Sequence, residues 1–174
     1  MNINYHINHS KKDTKFCKYD RNIGKDADFM EIINIIKCAT LKKYSLQNNN
    51  SVYKVLYLRN DSSRRRMICY NGELDHLFDE VVVDMGSKTF EEQVKLFNKT
   101  THFVTIEGAH MTNILFMNSN TKILIFSPTN NSWQKMFGTY KLVKYFKIFI
   151  TGGNFNDNIK YNDLIKTNIL DFVK

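Results

Sequence analysis

Thr101-His102-Phe103-Val104-Thr105-Ile106-Glu107-Gly108-Ala109-His110-Met111-Thr112-Asn113-Ile114-Leu115-Phe116 is the stretch on which the fold turns. Its opening residues are rich in β-branched and aromatic side chains, the composition of a strand. Gly108-Ala109 then makes a tight turn into a helix that runs through Phe116. A strand passing through one glycine into a helix is half of a strand–helix–strand unit.

The same alternation continues outward. Upstream, Thr89-Phe90-Glu91-Glu92 is a capping box: the Thr89 hydroxyl accepts from the Glu92 N–H while the Glu92 side chain reaches back. Phe90, Val94 and Phe97 give the following helix one apolar stripe. Val52-Tyr53-Lys54-Val55-Leu56-Tyr57-Leu58 and Glu80-Val81-Val82-Val83-Asp84 are expected strands, with a weak helix over residues 72–78 between them. Residues 26–47 are expected to form a helix with Asp26 or Asp28 as its cap and Phe29, Ile32, Ile33, Ile36 and Ala39-Thr40 at helical spacing. Downstream, Lys122-Ile123-Leu124-Ile125-Phe126 is a strand stopped by Pro128. A short helix near Trp133, a strand over residues 145–150, a Gly152-Gly153 break and a C-terminal helix over residues 158–173 follow. Strands and helices in alternation imply right-handed crossovers and a parallel sheet covered by helices. The expected fold class is therefore α/β, a Rossmann-like parallel sheet flanked by helices. It spans residues 26–174 as a single domain, with residues 1–25 as a polar tail.

Composition narrows the functional classes. The 174 residues are 43% hydrophobic, ordinary for a globular chain. No run of apolar residues approaches the roughly 20 needed to span a bilayer, and the N-terminus lacks a signal-peptide core. Cys17, Cys38 and Cys69 show no metal or redox spacing. Reduced thiols in a cytoplasmic or otherwise intracellular compartment are the expectation. The net charge of +8 favours anionic partners.

In an open parallel sheet, ligands lie beyond the carboxyl ends of the strands. Four expected loops leave that edge, over residues 59–66, 84–88, 107–110 and 127–133. The first carries Arg59, Arg64, Arg65 and Arg66. The third is the strand–Gly–helix turn, whose N–H groups and dipole favour an anion. Guanidinium forks facing a helix start suit a diphosphate. The dinucleotide G-x-G-x-x-G fingerprint and the Walker P-loop signature are both missing. A solvated basic loop or a nucleic-acid patch remains the alternative for the arginines, and a plain helix start for Gly108-Ala109.

Glu91-Glu92-Gln93-Val94-Lys95-Leu96-Phe97, followed by Gly108-Ala109-His110-Met111-Thr112-Asn113-Ile114-Leu115-Phe116, resembles the signature of the family 61 glycosyltransferases, roughly E-Q-x-x-L-F, a strand, then H-G-A-G-L-T-N-x-L-F. Leu56-Tyr57-Leu58-Arg59-Asn60-Asp61 with Arg64-Arg65-Arg66 resembles that family's strand and arginine-rich loop. The resemblance covers residues 52–130 and implies one lobe of a GT-B-like architecture. The activity it implies is inverting sugar transfer from a nucleotide-sugar, a UDP-sugar being the expected donor, to a glycan or protein acceptor. By that resemblance Arg59, Arg64, Arg65, Gly108 and Ala109 would meet the donor phosphates, and Thr112 and Asn113 the nucleotide; Trp133, after the fourth strand, could stack on a base or sugar. Two positions depart from the family pattern: Glu107 stands where His is usual, and His110 where the second glycine is usual. Glu107, His110 and Asp61 are the candidates for the general base of an inverting transfer.

No metal or other cofactor is expected. Asp26-Ala27-Asp28 is formally a D-x-D, but it precedes a helix rather than ending a strand, and capping explains it. A separate chain supplying the acceptor lobe is an expected partner, because that lobe needs about 100 residues and few precede the first strand. The alternatives are a non-catalytic remnant or partner subunit of a glycosyltransferase, and a basic nucleic-acid-binding module.

Overall fold

Alternation along three adjacent strands sets the architecture. The computed structural model describes residues 27–47, 51–59, 68–128, 142–143, 145–153 and 158–174. Among them the elements are α1 (Ala27–Lys43), β1 (Lys54–Tyr57), β2 (Ile68–Cys69), β3 (Glu80–Val81), α2 (Phe90–Lys99), β4 (His102–Ile106), β5 (Lys122–Ser127), β6 (Tyr145–Ile150), β7 (Ile159–Lys160) and α3 (Asp163–Val173). Two 3-10 segments, Asp75–Leu77 and Ala109–Phe116, complete the set.

The main sheet has the order β3-β1-β4-β5-β6, and every pair in it is parallel. Because successive side chains of a strand point to opposite faces, both faces of this sheet are apolar. Val55, Tyr57, Phe103, Ile123 and Ile125 join Val94 and Phe97 of α2 and Met111 and Ile114 of the second 3-10 segment. Leu56, Leu58, Val104, Ile106, Leu124 and Phe126 pack on the other side with Ile165, Ile169 and Val173 of α3. The result is the expected three-layer, Rossmann-like α/β fold.

Helix α2 begins where the sequence places it. Thr89 Oγ1 accepts from Glu92 N at 3.3 Å, and Glu92 Oε2 accepts from Thr89 N at 2.7 Å. The amino-terminal edge of the sheet is held by Glu80. Its Oε2 accepts from Tyr53 Oη at 3.0 Å and from Lys99 Nζ at 3.1 Å, and its Oε1 pairs with Lys88 Nζ at 3.1 Å.

Four expectations are corrected. The segment after Gly108 is a 3-10 helix, with Met111 N donating to Gly108 O and Met117 N to Ile114 O. Buried Met111, Ile114 and Met117 recur every third residue, and a helix with three residues per turn stacks them on one side. Strand β3 stops at Val81, leaving Val83 exposed. Residues 159–160 pair with β2 as a parallel ladder instead of opening the last helix, which starts at Asp163 with Asn162 as its cap. Helix α1 rests on the domain through Lys37, whose Nζ donates to Met117 O at 2.6 Å, and through Leu41, Tyr44 and Leu46. Its stripe residues Ile32 and Ile36 face outward, with Ile35 55% exposed. The short helix expected near Trp133 lies outside the described residues.

Candidate functional site: the switch point between β1 and β4

The strand order has one reversal. From β1 the chain moves outward to β3, then returns across β1 to β4 and continues to β5 and β6. The connections leaving β1 and β4 therefore depart in opposite directions, and a crevice opens between their carboxyl ends. Arg59 follows β1 and Glu107-Gly108 follows β4, so both fall at that crevice.

The arginine-rich loop is closed at its base. Ile68 N donates to Leu58 O at 3.1 Å, and Ile68 pairs with Ile159 of β7. Beyond β2, Tyr161 Oη donates to Glu73 Oε1 at 2.7 Å, and Lys166 Nζ lies 3.2 Å from Glu73 Oε2. The Tyr161 hydrogen bond, then that of Lys166, lowers the Glu73 pKa. Burial and the bond to Glu73 push the Tyr161 phenol up. Arg59 itself has φ +55°, in the left-handed region that non-glycine residues rarely adopt. Such strain persists only where the surroundings enforce it.

Gly108 lies directly against that arginine. A Cβ built on Gly108 would stand 3.0 Å from Arg59 Nη1, 3.0 Å from His110 Nδ1 and 3.1 Å from His110 Cε1. The residue is fully extended, φ 178° and ψ 176°. A side chain there would crowd these two neighbours, while the backbone conformation itself is open to any residue.

The two family-divergent positions are both turned into the protein. Glu107 is only 3% exposed, and its Oε2 accepts from Ser127 Oγ at 2.5 Å. Ser127 is in turn tied to the strand beyond it, since Thr151 N donates to Ser127 O at 2.9 Å. His110 Nε2 lies 2.8 Å from Thr105 Oγ1, and its ring meets Tyr57 edge-on at a centroid distance of 4.6 Å.

The structure thus brings together Arg59, Glu107, Gly108 and His110. Ala109 is exposed just beyond them. Thr112 donates back to Ala109 O at 2.9 Å, and Asn113 Nδ2 donates to Gln93 Oε1 at 2.6 Å. Asp61, Arg64, Arg65 and Trp133 lie outside the described residues. Two partners escaped the sequence reading. Gln93 stood inside a quoted motif with only its spacing noted, and Ser127 opened the fourth loop with no signal of its own. Among the described residues no group of three or more His, Cys, Asp or Glu is gathered to hold a metal ion. No helix among them is long and apolar enough to cross a membrane.

A parallel α/β domain with a guanidinium and a glycine turn at its switch point defines a class of ligand-binding fold. The family described as Glycosyltransferase 61 matches residues 12–124, more than half of the chain, and the chain belongs to that family. The match takes in α1, the arginine-rich loop, α2 and the Gly108 turn, and it ends within β5. No curated protein shows significant similarity to the chain.

Proposed function

We propose that this chain is an inverting glycosyltransferase, or the donor-binding half of one, that takes a nucleotide-sugar of the UDP-sugar class at the β1–β4 switch point. The observation that carries the reading is the approach of Arg59 to Gly108 at the one reversal in strand order. A phosphate there would meet the guanidinium on one side and backbone approaching without a side chain on the other. Arg64 and Arg65, which follow Arg59 in the sequence, are the proposed partners of the second phosphate. Ala109 and Thr112 line the nucleotide side, which Asn113 supports through its hydrogen bond to Gln93.

In the transfer, a base removes the proton from an acceptor hydroxyl as its oxygen attacks the anomeric carbon. The bond to the diphosphate breaks with its electrons on the leaving oxygen, and the arginines stabilise the charge that develops there. Glu107, His110 and Asp61 are the base candidates. The acceptor is a glycan or a protein hydroxyl.

Isothermal titration with UDP and a panel of UDP-sugars tests the donor reading. Saturable binding supports it, and absence of binding to any nucleoside diphosphate at millimolar concentration overturns it. One observation favours a second reading, a donor-binding partner subunit without its own base: Glu107 is engaged by Ser127, and the His110 ring lies against Thr105 and Tyr57. Sugar transfer by the purified chain alone would rule that out. Oligonucleotide that competes with UDP and binds with a steep salt dependence would instead point to a nucleic-acid module.

A further inference from the structure

Gln93 sits on the first turn of α2, part-buried, within hydrogen-bond reach of the 84–88 loop and of Asn113. Its Nε2 donates to Lys88 O at 2.9 Å and to Met85 O at 3.2 Å. Its Oε1 accepts from Asn113 Nδ2 at 2.6 Å. The polarity of this arrangement is fixed. Two carbonyl oxygens demand a donor, so the amide oxygen must face Asn113, and Asn113 must present its own N–H group. The loop it holds is also ordered from within. Gly86 N donates to Asp84 Oδ1 at 2.7 Å, and Ser87 Oγ to Asp84 O at 3.0 Å.

One side-chain amide therefore spans the loop that follows β3 and the 3-10 segment that follows Gly108. These elements come from separate crossovers, and both leave the carboxyl edge of the parallel sheet. We propose that Gln93 is a positioning residue for the nucleotide site, locking the 84–88 loop to the Gly108 turn, and that Asn113 acts on the ligand through Gln93 instead of touching it. The inference rests on the crevice taking a nucleotide, but the lock itself is a property of the free protein.

Its test has two arms on the full chain. The first needs no ligand. Hydrogen exchange on Asn113→Ala should show faster exchange at Gly86 and Lys88, residues to which Asn113 makes no hydrogen bond of its own. Unchanged exchange there overturns the lock. The second arm is a double-mutant cycle read as the Kd for UDP, with Gln93→Ala, Asn113→Ala and the pair. Each single variant should weaken UDP about tenfold, and the pair no more than the worse single, because both remove one unit. Fold-losses that multiply would show Asn113 meeting the nucleotide on its own, and unchanged affinity in Gln93→Ala would remove the positioning role. Gln93→Met keeps the side-chain length without its hydrogen bonds and replaces Gln93→Ala if that variant fails to fold. Gln93→Glu supplies a sharper control. It is isosteric, yet it turns a carboxylate on two carbonyl oxygens, so it should lose more than Gln93→Met at a similar melting temperature. If wild type binds no UDP while the exchange arm succeeds, the donor reading falls and the lock stands.

Discussion

Replacing Gly108 with alanine adds one methyl group where Arg59 and His110 approach the backbone. That methyl would stand 3.0 Å from both Arg59 Nη1 and His110 Nδ1, against an ordinary contact of 3.4–4 Å, so something must retreat by about half an ångström. The imidazole cannot do so easily, being held at 2.8 Å from Thr105 Oγ1 and edge-on to Tyr57. The guanidinium at the end of a long side chain yields first. A hydrogen bond from arginine to a phosphate contributes about 1.5–3 kcal/mol, and a half-ångström displacement removes a good part of it. The expected result is a Kd for UDP raised about tenfold, equivalent to about 1.4 kcal/mol. The fold should barely respond. Alanine adopts the extended backbone of residue 108 freely, and it gains about 0.4–1 kcal/mol from a less flexible unfolded chain, which offsets the crowding. The melting temperature should stay within about 4 °C of wild type. Titration calorimetry and a thermal melt on the same preparation give both numbers. A Gly108→Ala protein that binds UDP as wild type does would refute the close-approach argument. One that loses binding only by unfolding would refute the separation of site from scaffold.

Arg59→Gly and Arg59→Ala should both lose UDP affinity, but the glycine variant should melt higher, by about 1 kcal/mol of stability, because only glycine adopts φ +55° without cost; equal melts would show no strain at this position. The Glu80 carboxylate gives a pH test. Burial opposes its ionisation, yet hydrogen bonds from Lys99, Lys88 and Tyr53 prevail and lower its pKa. Its stabilising contribution is therefore present above the unfolded value of about 4.3 and lost as pH falls through the lower folded value. The melting-temperature gap between wild type and Glu80→Gln should close over that acid range, and a gap independent of pH would contradict it. Lys99 acts with the opposite sign. Burial lowers its pKa, but its bonds to Tyr53 and Glu80 raise it overall, so its contribution fades only as pH rises beyond about 10.4. Phe126→Ala, at a fully buried position between β5 and α3, should cost about 3–5 kcal/mol, whereas Ile35→Lys on the exposed face of α1 should stay within about 0.5 kcal/mol; similar denaturant midpoints for the two would overturn the assignment of faces.

What the sequence made legible was local or two-sided. The α2 capping box lies within four residues, and β1, β4 and β5 are apolar on both faces, as strands buried between helices must be. The pairing of Ile68 with Ile159 could not be read, because two-residue strands far apart in the chain carry no periodicity of their own. Helix α1 was legible as a helix but not in its orientation. Periodicity says which residues share a face, and nothing about what lies opposite, so Ile32 and Ile36 looked like core and are not. The 3-10 winding of residues 109–116 was hidden for a related reason. Apolar residues three apart fit an α-helix about as well as the tighter spiral, and the three-residue hydrogen bonds from Met111 N to Gly108 O and from Met117 N to Ile114 O separate the two.

The site divides along the same line. Arg59 and Gly108 fall on one edge of the sheet because topology puts the ends of parallel strands together, whatever the side chains do. Side-chain partners were beyond reach. The sequence shows a glutamate where the family has histidine, and a histidine where it has glycine, and offers both as candidates for the general base. In the structure each has been taken up by a hydroxyl from the sheet, Glu107 by Ser127 and His110 by Thr105. The second replacement has a cost for its neighbour. With an imidazole pressed against residue 108, a Cβ there would crowd both the His110 ring and the Arg59 guanidinium at 3.0 Å. The His110 side chain crowds the Gly108 turn, and Glu107 and His110, the base candidates of that turn, are both engaged by hydroxyls of the sheet. On that physical ground, donor binding is the more secure half of the proposed activity, and transfer by the isolated chain is the measurement that decides the other half.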